Sequence, residues 1–282
     1  MKYLILTKLN KQIFATSIAF MFAVCFTSCD KDGSSDFLDR EYNLIWSDEF
    51  VGQYGDLPDS TKWTYDLGTG NDGWGNSELQ TYRDLPDNVS LDGLGNLVIT
   101  AMDEAFGGSP FTSGRVKTQG LFTAKYGRVE ANIKIPFGPG IWPAFWMLGS
   151  NIDEVSWPQC GEIDILEARG QAPSIMYGSL HGPGYSAGTA VTEAYNLGND
   201  RFDSDFHIYA IEWGEDYIDF FVDDILYNQV TAEDVAGEWV YNNSFFMVLN
   251  VAVGGGFAGF PTTGTPFPQR MLVDYVRVYK EI

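Results

Sequence analysis

Tyr126-Gly-Arg-Val-Glu-Ala-Asn-Ile-Lys-Ile135 alternates with period two: Arg128, Glu130, Asn132 and Lys134 fall on one side, Val129, Ala131, Ile133 and Ile135 on the other. That is the pattern of a strand with one wet and one buried face. Working outward, Leu97 to Met102, Phe206 to Trp213, Tyr217 to Val222, Phe245 to Val253 and Met271 to Tyr279 also read as strands. Gly214-Glu215-Asp216 reads as the turn of a hairpin. Apart from a turn at Thr231 to Val235, no segment shows a helical period. Glycines and prolines punctuate the strands, and no repeat or second linker divides residues 41–282. Many short antiparallel strands in one all-β domain predict a β-sandwich.

Charge narrows the choice of partner. The 282 residues carry 38 acids against 17 bases, a formal net charge of −21. Such a field repels nucleic acid, anionic membrane surfaces and polyanionic substrates. A content of 45% hydrophobic residues, 15% aromatic, excludes a disordered chain.

The first residues form a separate unit. Lys2, Lys8 and Lys11 precede an apolar run from Ile13 to Phe26 that is shorter than the ~20 residues of a spanning helix. Residues 1–28 are therefore expected to be an export signal. Thr27-Ser28 directly before Cys29 resembles a lipobox, which makes Cys29 the lipidation site and residues 29–40 a polar tether. The acidic tether resembles signals that carry lipoproteins to the outer membrane or cell surface. Contact with the membrane then runs only through the N-terminal lipid. With Cys25 in the signal and Cys29 lipidated, Cys160 has no disulfide partner, and it reads as a buried filler.

Several chemistries can be set aside. There is no Gly-rich loop ending in Lys-Ser/Thr, no Gly-x-Ser-x-Gly elbow, and no metal-ligand spacing between His181 and His207. The informative segment is Trp157-Pro-Gln-Cys-Gly-Glu162-Ile-Asp164-Ile-Leu-Glu167-Ala. Strict alternation would put Leu166, not Glu167, beside Glu162 and Asp164. One extra residue, a β-bulge near Ile165-Leu166, brings all three carboxylates to one side. Acids on a strand are ordinarily a solvated face, but here apolar flanks surround like charges at two-residue spacing. That arrangement serves acid–base chemistry or a cation. Trp142, Trp146 and Trp157 stand nearby, and alternation puts the first two on the same side. Core packing is the usual fate of a single Trp; a shared pair of rings offers a stacking platform for sugars. Asn76 and Glu78, in Gly73-Trp-Gly-Asn-Ser-Glu-Leu-Gln80, offer polar contacts from a loop.

Together these residues resemble glycoside hydrolase family 16, within it the bacterial laminarinase-like endo-β-1,3-glucanases. The likeness runs from Trp46-Ser-Asp-Glu-Phe50 to Val273-Asp-Tyr-Val-Arg-Val-Tyr279. It takes in Ser113-Gly-Arg115, Trp142-Pro-Ala-Phe-Trp-Met-Leu-Gly149, the acidic motif, His181-Gly182 and Leu249-Asn-Val-Ala-Val-Gly-Gly255. The resemblance implies a β-jelly-roll sandwich of two curved sheets with a glycan in the concave one. It implies a retaining mechanism, with Glu162 as nucleophile, Glu167 as general acid then base, and Asp164 as their electrostatic partner. Trp142, Trp146 and Trp157 would line subsites, with Asn76, Arg115 and His181 as polar contacts. No cofactor would serve the chemistry. A structural Ca²⁺ would be held by the carbonyls of Glu49 and Gly95 and by Asp274. The implied substrate is laminarin-type β-1,3-glucan, with mixed β-1,3/1,4-glucan second, and the implied state is a monomer.

The bulged motif is shared with agarases and carrageenases, but the charge disfavours sulfated carrageenan and the Trp-Pro-Ala-Phe-Trp segment favours laminarinases. One departure concerns the segment after Gly255, where Phe257 and Phe260 stand in the region of a usual Trp. An agarose-cleaving relative, a transglycosylase and a non-catalytic glycan-binding lipoprotein are the competing readings.

Overall fold

The computed structural model describes residues 40–282. The expected signal (1–28), Cys29 and the tether up to residue 39 lie outside the described residues. The chain order begins β1 (Tyr42–Asp48), β2 (Thr64–Tyr65), β3 (Gln80–Tyr82), β4 (Val89–Leu91), β5 (Leu97–Ala101) and β6 (Phe111–Ser113). It continues with β7 (Arg115–Lys117), β8 (Gly127–Lys134), β9 (Ile141–Gly149), β10 (Glu162–Ala168), β11 (Ile175–His181) and β12 (Val191–Asn196). It ends with β13 (His207–Trp213), β14 (Tyr217–Val222), β15 (Ile225–Thr231), β16 (Phe245–Val253) and β17 (Gln269–Glu281).

Two antiparallel sheets form the sandwich. One runs β12-β11-β10-β9-β16-β7-β2, and the other β15-β14-β13-β8-β17-β5-β4, with β1 also paired to β17. The strand read from Tyr126 to Ile135 is β8, and the other strands expected from alternation fall within a residue or two of β5, β13, β14, β16 and β17. β13 and β14 pair as the expected hairpin, closed by Gly214 N donating to Tyr217 O. Helical structure among the described residues is confined to α1 (Ile152–Val155), the single turn Ala187–Thr189 and an irregular turn at Gly73–Ser77. α1 was not legible from the sequence because four residues are too few to display a 3.6 period.

Alternation decides what each sheet buries. Val129, Ala131 and Ile133 of β8 meet Phe145 and Met147 of β9 and Phe245, Met247, Leu249 and Val251 of β16 in one continuous core. Each of these side chains except Ala131 contributes about 1.5–3 kcal/mol on leaving water. Ile141 and Val253 join the same core, and the residues that alternate with this set on β9 and β16 face away from it. Asn250 and Ala252 therefore look out on the same side as Trp142, Ala144 and Trp146, and this outward face becomes the floor of the site.

The opposite sheet turns its charged residues outward. Arg128 pairs with Glu130 (2.7 Å), Glu212 (3.2 Å) and Asp224 (2.7 Å). The chain enters the domain on this face: Arg40 bonds to Glu212 at 2.9 Å and lies 4.4 Å over the Tyr217 ring. The other end is its neighbour, since Tyr42 pairs with Glu281 and Ile282 N donates to Glu41 O at 3.0 Å.

Candidate active site

β10 carries the acids, and its register shows how. Asp164 faces Trp146 of β9, yet Glu167, three residues on, faces Ala144, two residues away. The extra residue is taken up at Ile165-Leu166, both fully in the core. The expected bulge is therefore present, and Glu162, Asp164 and Glu167 all point into one cleft of about 910 Å³. Two glycines let β10 start where it does. A Cβ on Gly149 would stand 1.9 Å from the Cys160 carbonyl oxygen, and Gly161 holds φ +80 against the Phe245 ring. Cys160 is buried, as expected, and burial pushes its thiol up to about 11, so it stays protonated.

The same cleft is lined by Trp142, Trp146, Trp157, Asn76, Arg115 and His181, so the structure brings together every catalytic and subsite residue expected from the sequence. Trp142 has a second task. Its indole N–H donates to Glu167 Oε1 at 3.0 Å, while its ring packs on Phe257 at 5.0 Å. Phe257 lies under the Arg169 guanidinium at 4.3 Å and lines the cleft wall, while Phe260 is exposed. Trp146 donates to Asn250 Oδ1 at 2.8 Å, Asn250 to the Tyr82 hydroxyl at 3.1 Å, and Tyr82 to Glu78 Oε2 at 3.1 Å. This chain ties the floor to the loop that carries Asn76, whose amide donates to Glu78 Oε1 at 3.2 Å. Arg115 lies 4.4 Å over Trp74 and 4.8 Å over Trp146, its charge balanced by Asp66 at 2.8 Å. Trp157 rises from the loop before β10, 6.0 Å from the His181 ring.

Trp74, Glu78, Arg169, Asn250 and the turn at Ala187-Gly188 also line the cleft, and the sequence reading gave them no site role beyond loop contacts from Glu78. Two of them had a signal. Arg169 continues the phase of Glu167, and Asn250 is a lone amide in the apolar run Phe245 to Val253.

Electrostatics separates the acids from ordinary surface carboxylates. Burial raises Glu162, Asp164 and Glu167 to about 8, and for the two glutamates repulsion from Asp164 adds to it. Three like charges cannot all ionise in one recess, so the group holds protons near neutral pH. The cleft can thus present one ionised carboxylate to attack and one protonated carboxyl to donate, the pairing used to break an acetal.

The residues expected to hold calcium lie away from the cleft. Asp48 pairs with Val276 and Leu97 with Val273, so Glu49, Gly95 and Asp274 gather along one segment of β17. The Glu49 carboxylate is taken by Arg277 (2.8 and 3.0 Å), which leaves its carbonyl; Asp274 Oδ2 accepts from Asn132 at 2.9 Å. The two carbonyls and the carboxylate are all oxygen donors, the ligand type Ca²⁺ takes.

A two-sheet sandwich with acids and aromatic rings on one outward face defines a glycan-binding protein equipped for acid–base chemistry. A family model for glycosyl hydrolases family 16 matches residues 76–276, and the chain belongs to that family. It is 39% identical to a beta-glucanase of Rhodothermus marinus, over 98% of this chain and 97% of that one. It is 38% identical to the clotting factor G alpha subunit of Tachypleus tridentatus over 86% of this chain, but spans only 34% of that longer protein. Among solved structures it is similar to the laminarinase catalytic domain of Thermotoga maritima, with TM-score 0.81 and 44% identity over 86% of this chain and 99% of that one.

Proposed function

We propose that this protein is a retaining endo-β-1,3-glucanase acting on laminarin-type glucans, with mixed β-1,3/1,4-glucan as a secondary substrate. The observation that carries the reading is the bulged strand that aims Glu162, Asp164 and Glu167 into one aromatic-floored cleft. The beta-glucanase and laminarinase relatives support the choice of glucan.

In the first step Glu162 attacks the anomeric carbon while Glu167 gives its proton to the departing glycosidic oxygen. A covalent glycosyl ester forms and the aglycone leaves. In the second step Glu167, now ionised, takes a proton from water; the hydroxide oxygen bonds to the anomeric carbon and releases Glu162. Two inversions give net retention. Trp142 orients Glu167 through its N–H, and Asp164 lies between the two glutamates, with His181 Nε2 3.1 Å from Asp164 Oδ2. Both steps use protons and carboxylates alone, so the chemistry needs no cofactor.

Glu49, Gly95 and Asp274 would hold a structural Ca²⁺ on the opposite sheet. The protein is further proposed to be a monomeric exported lipoprotein held at the outer membrane or cell surface through Cys29. The lysine leader, the apolar run and Thr27-Ser28 before Cys29 support that part of the reading.

The decisive experiment uses a 2-deoxy-2-fluoro β-1,3-glucosyl substrate with an activated leaving group: the fluorine slows both steps and the leaving group restores the first, so the ester accumulates. Mass spectrometry should find the sugar on Glu162, and proton NMR of a normal digest should show β-anomers first. Label on another residue, or α-anomers first, would overturn the mechanism. Reducing ends released from agarose and not from linear β-1,3-glucan would overturn the substrate.

A further inference from the structure

The loop that leaves β11 returns to touch it. Ala187 sits at φ +49, a left-handed conformation costly for a residue with a Cβ. Such strain persists only where the surroundings over-determine it, and here they do. Ser186 N donates to Thr189 Oγ1 (3.2 Å), and Thr189 Oγ1 donates back to Ser186 O (2.9 Å). The turn so fixed points the Ala187 N–H at His181 Nδ1, 3.1 Å away.

A ring nitrogen that accepts a hydrogen bond carries no proton. Neutral His181 must therefore keep its proton on Nε2, the atom that lies 3.1 Å from Asp164 Oδ2 and 3.7 Å from Glu162 Oε1. The other histidine in the chain faces the opposite way. His207 Nδ1 lies 2.7 Å from Asp223 Oδ2, and a carboxylate only accepts, so its proton belongs on Nδ1.

We infer that the Ser186–Thr189 turn is a tautomer lock for His181. It holds the Nε2 proton on the side of the ring that faces Glu162 and Asp164, and it disfavours transition-metal binding there. The second consequence follows from the donor set. Glu162, Asp164 and His181 offer two carboxylate oxygens and one imidazole nitrogen within 4.8 Å of one another, a set suited to Zn²⁺. Nε2 can bind a metal only if its proton moves to Nδ1. There it would confront the Ala187 N–H, donor against donor, and the turn would have to yield. The inference rests on the assignment of Glu162 and Asp164 as catalytic carboxylates, and Ala187 acts through His181 as a positioning residue.

Long-range proton–nitrogen NMR of the ¹⁵N-histidine-labelled protein reads the tautomers directly. With only two histidines, a His207→Gln spectrum assigns both. Expected is Nε2–H for His181 and Nδ1–H for His207. A His181 ring protonated at Nδ1, or averaging between tautomers, overturns the proposal whatever the activity.

Adding ZnCl₂ to the parent should inhibit weakly. In the Ser186→Ala/Thr189→Val double variant His181 should become a tautomer mixture, with inhibition by zinc about tenfold stronger, the loss of one hydrogen bond's hold. Ala187→Gly, which keeps the N–H and relieves the strain, should keep the parent's tautomers. Zinc binding in the parent as tight as in the double variant overturns the lock. A parent with the expected tautomers and no action on glucan leaves the lock standing and removes the catalytic assignment.

Discussion

Glu167 is held by one indole, and that bond has a measurable sign. The Trp142 N–H favours the ionised carboxylate and so opposes the burial that raises Glu167. Trp142→Phe keeps most of the ring and removes the donor. Glu167 should then rise further, and because the acid role proposed for it requires a proton, the alkaline limb of kcat should move to higher pH. A loss of about tenfold in kcat/KM is expected from one charged hydrogen bond; an alkaline limb that stays put would show that Trp142 serves only as a stacking ring. Glu162 illustrates the cost of such a site. Its carboxyl is raised by burial, so its contribution to stability is intact below the unfolded value near 4.5 and is lost as pH rises towards about 8. Glu162→Gln should therefore lower kcat by at least roughly 10³-fold and yet raise Tm. The gain, roughly 2–4 °C, should be seen at pH 8 and vanish at pH 4 in paired thermal melts.

At the scale of the element, the bulge in β10 sets the phase of the site. Without Leu166 the order becomes Glu-Ile-Asp-Ile-Glu, which alternates without interruption and keeps the carboxylates on the cleft side. Deleting Leu166 should therefore leave activity within about 100-fold of the parent, the scale of a 1 Å misplacement, with a stability loss of about 2–5 kcal/mol for the emptied core. Inserting one alanine after Leu166 leaves Glu167 on the cleft side only by turning Leu166 out of the core and setting the two glutamates a further strand step apart, and activity should vanish. Equal losses from deletion and insertion, measured on the same glucan, would refute this reading. The acid strand was legible beforehand because two-residue alternation survives in a single line of text once one skipped position is allowed. The polar floor was not. Trp146 and Asn250 are 104 residues apart, and Asn250 and Tyr82 are 168 apart, so only the pairing of β16 with its neighbours joins them. The strained turn at Ala187 was equally hidden, since nothing in Ser-Ala-Gly-Thr announces which way its N–H will point.

For the whole molecule, the two sheets divide the labour. The cleft sheet gathers the raised carboxyls, while the opposite sheet carries the paired charges and the oxygen donors around β17. If Ca²⁺ binds at Glu49, Gly95 and Asp274, millimolar Ca²⁺ should raise Tm by several degrees and EDTA should reverse it. Asp274→Asn should abolish the response and leave the pH profile of hydrolysis unchanged. A Tm indifferent to both reagents would remove calcium from the account. The hydrogen bond between Ile282 and Glu41 has a different implication. Because the two ends of the domain meet on the sheet facing away from the cleft, the sequence is closer to a ring than to a line. Joining residue 282 to residue 41 and opening the chain at the exposed turn Gly198-Asn199 should give a circular permutant that still cleaves glucan at near-parental kcat. The same closeness makes the domain portable: it can be spliced into a larger polypeptide through a single doorway.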